Sequence, residues 1–349
     1  METVTTIILA ILIFGLLIFV HEFGHYFFAR LFKVKIHEFS LGMGPKLLEY
    51  TSKKTGINYA ISAVPIGGYV AMAGENDDSD DPNSFDKKPA WQRFIITVAG
   101  ASVNILVGFI VMIIYTSLVN IGGTVVAEFV PTDTSGYDIT TSEQGIMLYD
   151  EIVAIDGRQV RIADQLSYEI MRRGYQPVDV TVIRDGERIV IPDVVFPTVE
   201  QSGQTFGVMD FKVFRDEKTV GSVLNYSFAK GVLMLQMCYE SLADLITGRY
   251  SFEAVSGPVG ISSAIGDAAK AGMEPLLYLT ALISINLGVM NLLPVPALDG
   301  GRILTILIEI ITRKRIPVKV EGIINAVGLF ILLGLSAVIL VKDIIQLIF

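Results

Sequence analysis

The residues most able to do chemistry lie in one short run near the N-terminus, His21-Glu22-Phe23-Gly24-His25. On a helix, side chains four positions apart share a face, so the imidazoles of His21 and His25 can hold one metal ion. In this pattern of two histidines around a glutamate, the carboxylate serves as a general base beside a bound zinc ion. The run therefore predicts metal-dependent hydrolysis, with Glu22 as the base.

The run lies at the end of an apolar segment that extends from about Ile7 to Phe32. This segment is long enough to cross a bilayer, and it is too long and too polar at its end for a cleaved signal peptide. Ionisable groups at membrane depth cost roughly 2.5 to 3.5 kcal/mol each on insertion scales, and they usually have a function there. The alternative is that the run only marks a helix end at the membrane interface.

The composition indicates a membrane protein. Hydrophobic residues make up 52% of the chain and charged residues 18%, and the mean hydropathy is +0.56. These values are typical of a polytopic membrane protein rather than a soluble one. Because Cys238 is the only cysteine, an internal disulfide and a C-x-x-C zinc site are excluded, and a metal must bind histidine and carboxylate. The net charge of −9 argues against nucleic acid as a partner.

Three further membrane segments follow the first. The second extends from about Phe94 to Ile121, the third begins near Pro275, and the fourth covers about Ile323 to Val341. Two prolines, at positions 294 and 296, interrupt the third segment. The backbone groups that they release must be buried in protein or must line a wet cavity.

Asp299 is the candidate for a third metal ligand. Two histidines and a water leave tetrahedral zinc one protein ligand short, and the missing ligand must lie at the same membrane depth. Asp299 lies in the stretch Asn291-Leu-Leu-Pro-Val-Pro-Ala-Leu-Asp-Gly-Gly-Arg302, directly after the prolines. His37, outside the apolar segments, is expected to be a surface histidine.

The distribution of basic residues predicts the orientation in the membrane. Nine lie near or between the first two segments and five between the last two: Arg30, Lys33, Lys35, Lys46, Lys53, Lys54, Lys87, Lys88, Arg93, and then Arg302, Arg313, Lys314, Arg315 and Lys319. Cytoplasmic loops carry such an excess of lysine and arginine. We therefore expect the His-Glu run near the cytoplasmic side, and the region from Gly122 to about Gly272 outside.

That outer region contains a predicted globular insert. Short β-rich runs fill the stretch from Thr124 to about Val199, with a turn at Asp185-Gly186. The segment from Gly145 to Gly157 resembles the central strand and turn of PDZ domains, and residues 163–173 would form the helix that follows. One α+β PDZ domain is expected over residues 122–200. Whether it binds peptide at a sheet edge or acts as a steric barrier stays open.

The expected fold is a polytopic α-helical membrane protein with about four transmembrane segments, a membrane-associated β-hairpin and one inserted PDZ domain. Residues 1–121 would contain the first two segments, and an alternating pattern over about 36–75 predicts the hairpin, with an ordinary cytoplasmic loop as the alternative. Residues 201–272 would link the PDZ domain to the membrane through an amphipathic helix, Val223 to Ile246, lying on the outer surface or packed on the core. Residues 273–349 would contain the last two segments.

These motifs together resemble the site-2 protease family of intramembrane zinc metalloproteases, in particular its bacterial RseP/RasP-type branch. The resemblance spans essentially the whole chain: the His-Glu run, Gly100-Ala-Ser-Val-Asn104, the PDZ-like insert and the Asn291–Arg302 stretch. It implies that His21, His25 and Asp299 hold Zn²⁺ and that Glu22 activates water. It also implies that Asn291 and Asn104 contact or orient the substrate, and that the hairpin re-enters the membrane and receives the substrate strand.

The resemblance further implies regulated intramembrane proteolysis in a bacterial cytoplasmic membrane. Its substrates would be single-pass membrane proteins, such as anti-sigma factors, or signal-peptide remnants.

Two other classes of protein remain as alternatives. A metal transporter would be expected to show inverted repeats and paired broken helices. A non-catalytic scaffold that presents a PDZ domain would have no need of an intact Glu22.

Overall fold

The structure is a computed structural model that describes residues 2–75, 79–130, 140–201, 204–249 and 255–348. The chain divides into two compact units, Met1–Val111 with Met234–Phe349, and Met112–Leu233. The first unit contains α1 (Glu2–Leu31), β1 (Ile36–Thr51), β2 (Asn58–Met72), most of α2 (Ala90–Leu118), α5 (Pro258–Ala271), α6 (Met273–Asn291), α7 (Asp299–Thr312) and α8 (Val318–Ile348). The second contains β3 (Gly122–Phe129), β4 (Glu151–Ile155), β5 (Arg158–Gln159), α3 (Ala163–Arg173), β6 (Val178–Arg184), β7 (Glu187–Val194), β8 (Thr198–Gln201), β9 (Gln204–Gly207) and β10 (Phe211–Arg215). Helix α4 (Val220–Thr247) begins in the second unit and ends in the first.

Four helices of the described chain are long and apolar enough to cross a membrane. They are Val4–Leu31, Ala90–Leu118, Met273–Asn291 and Lys319–Ile345. Each coincides with one of the segments predicted from hydropathy, because a run of about 20 apolar residues in lipid satisfies its backbone hydrogen bonds only as a helix. The chain is therefore a multi-pass membrane protein.

The prolines interrupt the third segment as the sequence predicts. Helix α6 ends at Asn291 and α7 begins at Asp299, and between them Val295 donates its backbone N–H to the Leu293 carbonyl at 2.6 Å. The turn packs directly on the start of α7, where a Cβ on Gly301 would lie only 2.6 Å from the Val295 carbonyl oxygen. Glycine at this position thus lets the turn and the helix meet, and the contact fixes where α7 begins.

The predicted hairpin is present in the first unit. Strands β1 and β2 pair with each other, and residues 38–41 contact residues 68–71 as well as residues 58–61. In the described pairing, residues 68–72 have partners only in the first part of β1, so they form an edge strand. The base of the hairpin packs on the end of α1 and the start of α2 through buried apolar side chains: Ala29, Val34, Ile36, Phe39, Ile57, Val70, Met72, Phe85 and Ile96.

Helices α1, α2 and α6 approach one another closely. A Cβ on Gly24 of α1 would lie 2.7 Å from the Ala99 carbonyl oxygen of α2, so the two helices meet at a glycine. Helix α6 also contacts α2, where the Ser284 hydroxyl donates to the Asn104 carbonyl oxygen at 2.8 Å. Small residues at such crossings let membrane helices pack with their backbones close together.

The second unit is built on a six-stranded sheet in the order β10-β3-β4-β6-β7, with β5 paired to β4. Its core is apolar and includes Val126, Ile152, Ile155, Leu166, Ile170, Val180, Val182, Val194, Phe196 and Phe211. The helix expected over residues 163–173 is present as α3. Asp185 and Gly186 both have positive φ, as a two-residue hairpin turn requires.

The sheet extends beyond the domain end predicted at residue 200. Strand β10 pairs with β3, so a strand that follows residue 200 forms the edge next to the first strand of the unit. The sheet of this unit therefore continues to Arg215, whereas the sequence predicts a domain end at residue 200. Residue spacing does not indicate this pairing, because β10 is short and its partner strand lies more than 80 residues earlier in the chain.

Helix α4 includes the whole of the predicted amphipathic stretch, and its first half packs on its own unit. Tyr226 and Ala229 are buried against Ile121 and Ile162. The Lys230 ammonium lies 2.9 Å from the Asp164 carboxylate, to which the Tyr226 hydroxyl also donates. Burial, together with that carboxylate, raises the pKa of the Tyr226 phenol, which therefore stays protonated and donates.

Candidate active site

Helices α1 and α7 bring three potential metal ligands together. The Nε2 atoms of His21 and His25 lie 3.3 Å apart, and Asp299 Oδ2 lies 3.2 Å from each of them. The two histidines are one helical turn apart on α1, and Asp299 is the first residue of α7. The break at the prolines thus places a carboxylate opposite the histidine face of α1. These are the three ligand positions predicted from the sequence.

The spacing of the three atoms fits a metal ion. A tetrahedral zinc ion with bonds of about 2.0 to 2.1 Å separates its ligand atoms by about 3.3 Å, close to the three distances observed. Asp299 Oδ2 is buried and, among the described residues, accepts no hydrogen bond. A buried carboxylate oxygen without a donor is costly unless a cation balances it. The donor set, two imidazoles and one carboxylate, also suits zinc.

A backbone carbonyl orients His25. Its Nδ1 lies 2.8 Å from the Ile96 carbonyl oxygen of α2 and donates to it, since a carbonyl can only accept. This hydrogen bond fixes the tautomer and leaves Nε2 with its lone pair toward Asp299 and His21. Helix α2 therefore supports the site although it supplies none of the three clustered ligands.

Asn104 supports His21 in the same way. Its side-chain amide is fully buried and lies 3.3 Å from His21 Nδ1, while its Oδ1 has no partner among the described residues. A histidine that binds metal through Nε2 carries its proton on Nδ1 and needs an acceptor there. With the amide turned over, Oδ1 becomes that acceptor and gains the partner it lacks. The structure thus places Asn104 against a candidate ligand; its predicted role toward substrate stays a prediction.

Gly100 makes room for both histidines. A Cβ at this position would lie 2.7 Å from His25 Cε1 and 2.9 Å from His21 Cε1, and closer still to His25 Nε2. Only glycine lets α2 pass so near the imidazole pair. Gly100 therefore leaves room for the two imidazoles, and Asn104, one helical turn later on α2, lies within hydrogen-bonding distance of His21.

We expect Gly100→Ala to displace the imidazoles and to lower both zinc content and cleavage. A displacement of about 1 Å costs about 10²-fold in activity when it misplaces reacting groups. Gly15→Ala on α1 is the matched control, because nothing lies within 4 Å of a Cβ there. Elemental analysis and a cleavage assay on both purified variants check the prediction. Full zinc content and activity in Gly100→Ala would show that the site tolerates the added methyl group.

Glu22 lies beside the three ligands on the wall of a cavity of about 320 Å³. The lining residues of this cavity are His21, Glu22, His25, Gly68 to Met72, Glu75, Ile96, Thr97, Asp299 and Arg302. The cavity therefore joins the ligand cluster, the predicted base and the edge strand of the hairpin in one space. A water molecule and a peptide bond can both reach Glu22 there.

Neither asparagine predicted to contact substrate, Asn291 or Asn104, is among the described residues that line this cavity. Asn291 is the last residue of α6, is partly exposed, and is not among the cavity-lining residues of the described chain. Its role toward substrate stays a prediction. His37 is exposed on β1, as expected of a surface histidine.

Sequence reasoning missed two charged residues of the cavity, Glu75 and Arg302. Arg302 closes the Asn291–Arg302 stretch and lies three positions after Asp299, so helical spacing alone puts it on the same face of α7. Glu75 lies just after β2 and carried no spacing signal toward the ligands. Both residues line the cavity.

Two histidines and an aspartate clustered on helices that include a candidate membrane span, with a glutamate beside them, are typical of a membrane metallopeptidase, and comparison with known proteins agrees. The model of Peptidase family M50 matches residues 9–335. A protein of Clostridium acetobutylicum, provisionally named a zinc metalloprotease, is 34% identical over 342 residues, which cover 97% of each chain. One of Clostridium perfringens with the same provisional name is 35% identical, covering 97% of this chain and 98% of that protein. Zinc metalloprotease RasP of Shouchella clausii is 26% identical, with 97% and 98% covered.

The chain belongs to Peptidase family M50, the site-2 proteases, and is a membrane metalloprotease. The family prediction made from its motifs is thereby confirmed at the level of the family.

Proposed function

We propose that this chain is an intramembrane zinc metalloprotease that cleaves peptide bonds within the transmembrane segments of single-pass membrane proteins. The observation that carries the proposal is the ligand cluster itself. His21 and His25 lie within a helix long enough to cross a membrane, and Asp299 begins the helix after the break in another such segment. Membership of a metallopeptidase family supports the reaction class.

In this proposal His21 Nε2, His25 Nε2 and Asp299 Oδ2 hold the zinc ion. When bound, zinc lowers the pKa of its water toward about 7 and polarises the scissile carbonyl. The Glu22 carboxylate would accept a proton from the attacking water and pass it to the nitrogen of the leaving amine. Ile96 and Asn104 keep the two imidazoles oriented through their Nδ1 atoms.

The substrate helix must unwind before it can be cleaved, because its amides are hydrogen-bonded internally. The edge strand 68–72 lines the cavity, and in the described pairing it has a neighbouring strand on one side only, so its other side can pair with an extended segment. Pairing there would replace the hydrogen bonds that the helix loses. We propose that the hairpin receives the substrate strand in this way, within or against the membrane, and that Asn291 contacts the substrate.

The basic loops support a bacterial cytoplasmic membrane location with the catalytic side toward the cytoplasm. The second unit would then be extracytoplasmic. We propose a PDZ-type fold for it: residues 145–157 resemble a PDZ strand and turn, α3 follows, and β10 provides a sheet edge of the kind to which PDZ domains add a peptide strand. Anti-sigma factors and signal-peptide remnants fit the substrate class.

Metal removal tests the proposal. Detergent-purified protein incubated with a single-span model substrate is expected to release two fragments, and a zinc chelator is expected to stop the release. Re-addition of zinc should restore it, because the ligands remain in place on α1 and α7. A control substrate whose span is a stable polyleucine helix should resist, since it does not unwind. Cleavage that persists through chelation would exclude a metal-dependent mechanism, and cleavage outside the span would exclude the intramembrane one.

A further inference from the structure

Arg302 joins the candidate catalytic centre to the end of the hairpin. It lies in the first turn of α7, and its guanidinium donates to the Glu75 carboxylate and, at 3.3 Å, to the Glu75 backbone carbonyl. Glu75 follows the edge strand by three residues, and its Oε2 accepts the backbone N–H of Met72 at 3.3 Å. One arginine thus holds both the side chain and the main chain at the end of the edge strand.

The same guanidinium also contacts the start of α8. Its Nε lies 3.5 Å from Glu321 Oε1, which in turn accepts the Thr305 hydroxyl at 3.1 Å. The side chains of Arg302 and Glu75 are only 15% and 17% exposed. A partly desolvated arginine fork fixes geometry far better than an exposed ion pair does. Edge strand, α7 and α8 are therefore joined at one point on the cavity wall.

We propose that Arg302 and Glu75 form a latch that sets the register in which a substrate strand on the edge strand meets the catalytic centre. The inference rests on the proposed function, since it concerns the same cavity. Arg302 is one helical turn from Asp299, so the latch ties the edge strand to the helix that carries a metal ligand. That link decides which peptide group of a paired strand lies opposite Glu22. Both latch residues are positioning residues.

Strand geometry predicts how a broken latch shows itself. A slip of one residue turns every side chain of a paired strand to the other face, whereas a slip of two keeps each face as it was. Two residues correspond to about 6.7 Å along a strand. An edge strand that is free to shift makes neighbouring registers more nearly equal in energy. The substrate should then be cut at additional bonds, two residues from the main one.

Two variants test the latch. Glu75→Gln keeps the size of the side chain but removes its charge, and Arg302→Lys keeps the charge but removes the fork. The products of a single-span model substrate are identified by mass spectrometry, and amide hydrogen exchange is measured over residues 68–75. We expect additional cleavage sites, a kcat/KM lower by about 10- to 100-fold, and faster exchange in both variants. The kcat/KM of the double variant should be no lower than that of the less active single variant, because the two residues act as a unit.

The ion pair of Arg93 and Glu309 provides the matched control. It joins α2 to α7 at 2.6 Å, with side chains 7% and 21% exposed, and neither residue is a cavity-lining residue of the described chain. Glu309→Gln should therefore leave the cleavage position and the exchange over residues 68–75 unchanged.

The outcomes separate the latch from the proposed function. If amide exchange over residues 68–75 is as slow in both latch variants as in the wild-type protein, the latch is overturned. Faster exchange with an unchanged cleavage position would overturn its role in register. If the wild-type protein does not cleave the substrate, the proposed function and the register role are both overturned. Faster exchange in the latch variants would then support only a mechanical link between α7 and the hairpin.

Discussion

Glu22→Gln is expected to lower kcat by about 10²- to 10⁴-fold, the usual contribution of a general base. The carboxamide has nearly the shape of the carboxylate but cannot accept the proton of the attacking water. Glu22 lines the same cavity as the three clustered ligands, which is where a general base for this reaction must lie. Turnover of a single-span substrate by the purified variant measures the loss.

Zinc content should stay at the wild-type level in this variant, since Glu22 is not one of the three clustered ligands. Glu49→Gln is a suitable control, because that carboxylate is 62% exposed on the hairpin and lies outside the cavity lining. It should leave both zinc content and turnover unchanged. Near-wild-type turnover in Glu22→Gln would show that another group takes the proton.

The part of the site that the sequence predicted depends on local geometry. His21, Glu22 and His25 lie within two turns of one helix, and the period of a helix alone decides that the histidines share a face. The four membrane segments follow from hydropathy for a similarly local reason, since an apolar run of that length in lipid must be helical. The break before Asp299 follows from two prolines.

The contacts between elements could not be read from spacing. Asn104 meets His21 only because α1 and α2 cross at Gly24 and bring residues 83 positions apart within hydrogen-bonding distance. Arg302 meets Glu75 across 227 positions, through a turn whose path depends on the whole hairpin. The extent of the sheet in the second unit depends on a pairing of the same kind, because β10, which follows residue 200, lies beside β3. Pairings of this kind are fixed by tertiary packing.

Asp299→Asn is expected to reduce the zinc content of the purified protein and to abolish most cleavage. The amide keeps the shape of the side chain but removes the negative charge that balances the ion, and a neutral amide is a weaker ligand than a carboxylate. Changes to groups that only orient ligands typically cost about 10- to 100-fold in metal affinity, so the loss of a ligand charge should exceed that range. Elemental analysis and titration with zinc measure the change.

The surroundings of Asp299 predict that its substitution affects metal binding and not the fold. Its Oδ2 is buried 3.2 Å from both imidazole Nε2 atoms and accepts no hydrogen bond among the described residues, so the substitution removes an acceptor that serves no protein donor. The fold should therefore persist while metal affinity falls, and thermal unfolding in the presence of chelator should match that of the wild-type protein. Asp267→Asn, at a carboxylate 73% exposed on α5, should change neither property. Full zinc occupancy in Asp299→Asn would mean that the third ligand is a different residue, and that the approach of α7 to the histidines serves some purpose other than binding the metal.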